Sequence, residues 1–88
     1  MTEPEFISVT LGAEHDSALW ARLVSAVAAR GGSIVESSFG VGGSQEVIDY
    51  EVRLPEGRLQ LRSETYVGLV LTGRADLVEA LSREARSA

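Results

Sequence analysis

The run at residues 66–73, YVGLVLTG, most constrains what this chain can form, because almost no polar side chain interrupts it. A short apolar run that ends at glycine is typical of a strand covered on both faces. We therefore expect residues 66–72 to be a central strand of one small sheet. A closing helix is predicted after it by four apolar residues at helical spacing, Leu77, Val78, Leu81 and Ala85.

Three earlier segments, residues 5–11, 33–39 and 45–54, alternate apolar and polar side chains, as half-buried strands do. In the second segment the core face is predicted to hold Val35, Ser37 and Phe39. The opposite face is then predicted to hold Ile34, Glu36 and Ser38. In the third segment the predicted core residues are Ile48, Tyr50, Val52 and Leu54. The glycine-rich residues 40–44 are predicted to be a flexible hairpin loop.

A helix is predicted between the first two strands. Its apolar residues recur every three or four positions, at Leu19, Trp20, Leu23, Val24 and Val27. Asp16 or Ser17 is expected to cap its first free amides, and Gly31 with Gly32 is expected to end it.

The connections after residue 54 are harder to predict. Pairing Leu54 with Leu59 leaves a four-residue loop, 55–58, and avoids a Pro-Glu two-residue turn, which is poor chemistry for a hairpin. Residues 59–71 then keep one period-two phase. They form either one long bent strand or a hairpin with a loop at 63–65. The usual strand length of about 3–10 residues favours the hairpin, which would pair Leu61 with Val67.

Together these elements predict a single α+β domain over residues 1–88, with residues 1–4 disordered. The architecture is a two-layer sandwich with a mainly antiparallel sheet of four or five strands and two helices on one face. The element order is β-α-β-β-β(-β)-α and the expected sheet order is 2-3-4-5-1. This order is similar to the half-repeat of TATA-binding-protein-like and helix-grip folds, a likeness that does not fix function.

Composition excludes several classes of function. The chain has no cysteine, which removes disulfides and thiolate chemistry. Its net charge of −5 argues against binding a phosphate backbone, so no nucleic-acid partner is expected. No apolar run approaches the roughly 20 residues of a membrane span, and no membrane partner is expected. The acidic N-terminus lacks an apolar signal core, and a cytoplasmic location is expected.

No catalytic, metal-binding or cofactor-binding residue is predicted. The single histidine, His15, is expected to be a surface or capping residue, because no nucleophile or ligand cluster accompanies it. The glycine-rich loop precedes a strand rather than a helix and lacks lysine, unlike a phosphate-binding loop. Glu36, Asp49 and Glu51 are expected on the exposed sheet face with Arg53 and Arg62, where ion pairs are commoner than acid–base catalysis.

The sheet face without helices carries the functional hypothesis. Strand parity places five apolar residues there, Phe6, Ile34, Val47, Tyr66 and Val70. Because the first and last strands are expected to pair, Phe6, Tyr66 and Val70 are predicted to form a contiguous patch. We expect a small non-enzymatic interaction module that forms a homodimer or binds another protein through this face. The alternative is a regulatory domain that binds a small molecule between sheet and helices or at the dimer seam.

Overall fold

A five-stranded antiparallel sheet with two helices on one face makes up the computed structural model, which describes residues 5–42 and 45–86. The elements in chain order are β1 (Phe6–Gly12), α1 (Ser17–Ala29), β2 (Ser33–Gly42), β3 (Gln45–Leu54), β4 (Gly57–Glu64), β5 (Gly68–Arg74) and α2 (Ala75–Arg86). The sheet order is β1-β5-β4-β3-β2, so β1 and β2 are its edges. The predicted α+β sandwich and strand order are confirmed. Residues 1–4, expected to be disordered, lie outside the described residues.

One apolar core lies between the sheet and the helices. The sheet contributes mainly leucines, with Leu61, Leu69 and Leu71 almost inaccessible to solvent. Each such side chain, when fully buried, contributes about 1.5–3 kcal/mol to stability. From the helices, the core takes seven of the residues predicted from spacing together with Ala26, namely Leu19, Leu23, Ala26, Val27, Leu77, Val78, Leu81 and Ala85. Of the other two predicted residues, Trp20 is only partly buried and Val24 is exposed. No described helix has the length and hydrophobicity needed to span a bilayer.

Helix α1 begins and ends as its sequence predicts. Asp16 is the N-cap, and its carboxylate Oδ1 accepts a hydrogen bond from the Leu19 amide at 3.0 Å. At the other end Gly31 adopts a φ of 77°, and the Gly32 amide donates to the Val27 carbonyl at 2.9 Å. This is the left-handed ending that glycine permits at no steric cost.

The β3–β4 turn differs from the prediction. Leu54 pairs with Gly57, and Val52 pairs with Leu59, so the loop has two residues rather than four. The predicted register is therefore wrong by two positions, although the face of every side chain is unchanged. Gly57 adopts a φ of 157°, which other residues rarely do. A tight hairpin turn needs a residue with positive φ. Neither Pro55 nor Glu56 provides it, and Gly57 does so at the end of the loop.

The β4–β5 connection is a hairpin, as the strand length favours, but its loop is residues 65–67 instead of 63–65. Leu61 pairs with Leu71, not with Val67, and Glu64 pairs with Gly68. Tyr66 takes the left-handed position of the loop with a φ of 72°. Strand β5 consequently begins at Gly68, and Tyr66 lies in the turn rather than on the sheet.

A β-bulge in β2 changes which residues share a face. Ile34 pairs with Val52 and Glu36 with Tyr50, but after the bulge Ser38 pairs with Asp49. The extra residue reverses the alternation. Ile34 and Glu36 therefore lie on the helix-covered side, and their predicted placement on the opposite face is wrong. The predicted loop is wrong for residues 40–42, which belong to β2, whereas residues 43–44 lie outside the described part of the chain.

The two edges of the sheet differ. In β1 the Glu5 carbonyl accepts from the Ala75 amide at 2.7 Å, and carbonyl directions alternate along a strand, so the Thr10 carbonyl points away from β5. Arg86 of α2 donates from Nη2 to that carbonyl at 2.7 Å. No side chain among the described residues makes a comparable bond to the outer edge of β2.

Candidate binding groove beside helix α1

The apolar residues predicted to form a patch do not lie together. Phe6 pairs with Arg74 at one end of the β1–β5 ladder, and Val70 pairs with Thr10 further along it. Tyr66 lies beyond the start of β5, at the opposite end of the strand from Arg74. Phe6 is 70% exposed and Tyr66 is 80% exposed. An antiparallel pairing of β1 with β5 thus separates the two aromatic side chains that parity alone had grouped.

The remaining two residues are also apart. Ile34 packs against the core from the helix side. Val47 lies on the helix-free face and pairs with Glu64. Of the five predicted interface residues, only Phe6, Val47 and Val70 lie on that face of the sheet itself.

Ion pairs occupy much of the helix-free face. Arg62 donates to Asp49 at 2.8 Å, Arg53 donates to Glu51 at 2.6 Å, and Arg58 lies 3.3 Å from Glu51. The hydrogen bond from Arg53 holds the pKa of the Glu51 carboxyl below its usual range. A shallow depression of about 510 Å³ crosses the face between Phe6 and Ser37. Its lining combines apolar Phe6 and Leu59 with the ion pair of Arg58 and Glu51, and a paired, exposed ion pair is typical of a solvated surface.

A second depression lies on the other side of the sheet, along α1. It has two parts, of about 390 Å³ and 410 Å³, and both are lined by Trp20 and Tyr50. The two rings are in contact, with centroids 5.1 Å apart and planes at 55°. We call the two parts together the α1 groove. Its other apolar lining residues include Val24, Val27, Ile34, Ile48 and Leu69.

The fold explains why this groove stays open. Helix α2 packs on β1 and β5, whereas α1 packs on α2 and touches the sheet mainly at β2. The helix side of β3 beside α1 is therefore only partly covered, and Tyr50 is half-buried there. Val24, on the groove side of α1, is 43% exposed.

Carboxylates surround the groove. Glu14 and Asp16 line its first part with Glu46, and Glu36 lines its second part. Burial raises the pKa of the Tyr50 hydroxyl above its ordinary value, and the charges of Glu36 and Glu46 raise it further. Both carboxylates therefore act on the ring at the centre of the groove. No described lining residue is an arginine or lysine.

His15 also borders the groove, but its geometry does not make a catalytic centre. Its side chain is 83% exposed and lies 3.8 Å from Glu14. It makes no hydrogen bond to a serine or threonine hydroxyl within the described part of the chain, so no nucleophile is activated by it. Within residues 5–42 and 45–86, no three His, Asp or Glu side chains are grouped to hold a metal ion.

Sequence reasoning assigned Trp20 and Tyr50 to the core and did not connect them with Glu36. Only the bulge in β2 brings Glu36 to the face of Tyr50, and alternation of residue types does not mark where a bulge occurs. One feature of the sequence does indicate the groove in part. The apolar stripe of α1 includes Val24, which lines the groove instead of the core.

No known protein-family model, curated protein or solved structure is significantly similar to this chain. The groove must therefore be interpreted from its own chemistry.

The electrostatic coupling in the groove can be measured on Tyr50. In a Tyr66→Phe background Tyr50 is the remaining tyrosine, and its ionisation is expected at a pH above the ordinary value for tyrosine. Adding Glu36→Gln should lower the midpoint, because one negative charge that disfavours tyrosinate is removed. Ultraviolet absorbance at the tyrosinate band reports the titration. Adding Glu79→Gln instead is the control. An unchanged midpoint with Glu36→Gln would show that Glu36 does not act on this ring.

Proposed function

We propose that this chain is a small non-enzymatic interaction module that binds a segment of another protein in the α1 groove. The observation that carries the proposal is the aromatic pair of Trp20 and Tyr50 at the centre of a largely apolar depression that the described side chains leave open. Partly exposed aromatic and aliphatic side chains in a concave site are the features from which binding energy is obtained.

Size supports the same proposal. A chain of 88 residues buries only about 60–65% of the surface that it exposes when unfolded, so a partner that covers Val24, Ile34 and Tyr50 adds to a limited core. The chemistry favours binding over catalysis, because His15 has no hydroxyl partner among the described residues. The pKa of Glu51 is lowered, the opposite of what a general acid requires.

The test is affinity capture from a native lysate of the source organism with three forms of the chain. These are the wild type, Val24→Arg in the groove, and Val67→Arg in the β4–β5 turn. The two valines are similarly exposed, at 43% and 47%. The captured partner should be retained by Val67→Arg and reduced about tenfold or more by Val24→Arg, since a charged side chain would fill the apolar depression. Equal capture by all three forms would contradict the proposal.

A second candidate, the binding of a small molecule, is favoured by the first part of the groove. Its volume of about 390 Å³ lies within the range of small-ligand sites, and Ser17, Ser63 and Tyr50 provide polar groups there. Trp20 fluorescence distinguishes the two candidates. A saturable change with a metabolite set would favour the small molecule, whereas a response only to protein segments would favour the interaction module.

Self-association through the helix-free face stays a prediction. Phe6 is its best support, because a 70% exposed phenylalanine is an unusual surface residue. Stacking two such faces would also remove the ion pairs of Asp49 and Glu51 from water, which costs free energy. Light scattering at high concentration, with Phe6→Asp as the comparison, measures whether this dimer forms.

A further inference from the structure

None of the described arginines lines the α1 groove. Three of them, Arg53, Arg58 and Arg62, lie on the helix-free face in ion pairs. Arg30 bonds to Glu84, Arg74 to Asp76, and Arg22 and Arg86 bond to backbone carbonyls. Arg83 lies in a separate depression with Glu79 on α2. The groove carboxylates therefore have no cationic neighbour from the described arginines.

Glu36 and Glu46 lie where their carboxylates can attract a cation bound at the centre of the groove. They lie in its two different parts, and both parts share the rings of Trp20 and Tyr50. An arginine or lysine head group over such rings gains from the ring quadrupole as well as from the nearby carboxylates. The stem of the same side chain is apolar and can pack on the rings. The depressions on either side, lined by Ile48 and Ile34, offer apolar surface for neighbouring side chains.

We infer that the α1 groove takes a basic, amphipathic segment of a partner protein, with a cationic side chain over Trp20 and Tyr50 and apolar side chains in the two depressions. This inference rests on the proposed function and adds the chemistry of the partner. A second copy of the chain does not fit this role. Its net charge is −5, and two α1 grooves facing each other would bring like charges together.

The experiment is selection from a random peptide library displayed on phage, with the wild-type chain as bait and the Val24→Arg form used to remove binders that do not need the groove. Enriched peptides should carry net positive charge together with apolar residues. Their binding should weaken steeply with added salt, since the attraction acts between solvent-accessible charges.

Two double variants then test the carboxylates with synthetic copies of the enriched peptides. Glu36→Arg with Glu46→Arg reverses two groove charges, and Glu5→Arg with Glu79→Arg reverses two exposed charges elsewhere. Both changes alter the net charge equally. The groove reversal should weaken binding about tenfold or more, whereas the control should change it less than about threefold. Circular dichroism establishes that both forms are folded.

The outcomes separate the two claims. Groove-dependent peptides that are neutral or acidic would overturn the basic partner and leave the interaction module standing. Basic peptides that bind both double variants equally well would also overturn it. A library that yields no groove-dependent peptide would contradict the proposed function itself.

Discussion

Replacing Leu71 with Ala is expected to lower the free energy of unfolding by about 2–5 kcal/mol. Leu71 is fully buried on the interior strand β5 and pairs with Val9 on one side and Leu61 on the other. Truncation leaves a cavity that strands on both sides prevent from closing. Total stability for 88 residues is of the order of 4–13 kcal/mol, so the variant should lose a large part of it.

Urea unfolding followed by circular dichroism measures this loss, with Val70→Ala as the control. Val70 is the preceding residue on the same strand, but it points to the helix-free face and is only partly buried. Its truncation should cost about 1 kcal/mol or less. Similar losses for the two variants would mean that the core does not lie on the face of Leu71.

Gly68→Ala is the second substitution with a large expected effect, about 2–6 kcal/mol. Gly68 begins β5 with a φ of 115°, which side-chain-bearing residues rarely adopt and which costs about 1–3 kcal/mol. An added Cβ would also collide with the backbone carbonyl of Gly12, and relieving such crowding costs about 1–3 kcal/mol more. The Gly12 carbonyl belongs to the backbone and cannot move aside as the flexible end of a side chain could. Strands β1 and β5 would therefore have to separate.

Gly31→Ala is the matched control for this substitution. Gly31 also has a positive φ, of 77°, but an added Cβ there would meet only the Pro55 ring at an ordinary distance of 3.8 Å. Its cost should be limited to backbone strain, about 1 kcal/mol. Thermal and urea unfolding of the two variants separate strain from collision. A Gly68→Ala variant as stable as Gly31→Ala would show that β1 and β5 are not in close contact at this point.

Periodicity predicted most of the architecture. The spacing of Leu19, Leu23 and Val27 identified α1, and the parity of Val52 and Leu61 placed them on the same face even though the turn between them was misjudged. The predicted faces remain correct despite the error in register. Burial depends on which face a side chain occupies, and a shift of two residues leaves that face unchanged.

Local backbone features were predicted less well. The loop at residues 65–67 uses Tyr66 in a left-handed conformation, which no rule of residue preference would choose. The bulge in β2 leaves no mark in the alternation of residue types, and it places Ile34 and Glu36 on the helix-covered face. The lining of the candidate groove depends on this bulge and on the incomplete helix cover of β3. For this reason the sequence predicted an interaction surface on the opposite side of the sheet.

The bond from Arg86 to the Thr10 carbonyl limits how this sheet can grow. A strand from another molecule needs free outward carbonyls and amides, and at β1 the terminal helix already holds one of them. The edge at β2 carries a bulge but no comparable cap among the described residues. The Arg86 bond thus makes β1 a less favourable edge than β2 for the addition of a strand.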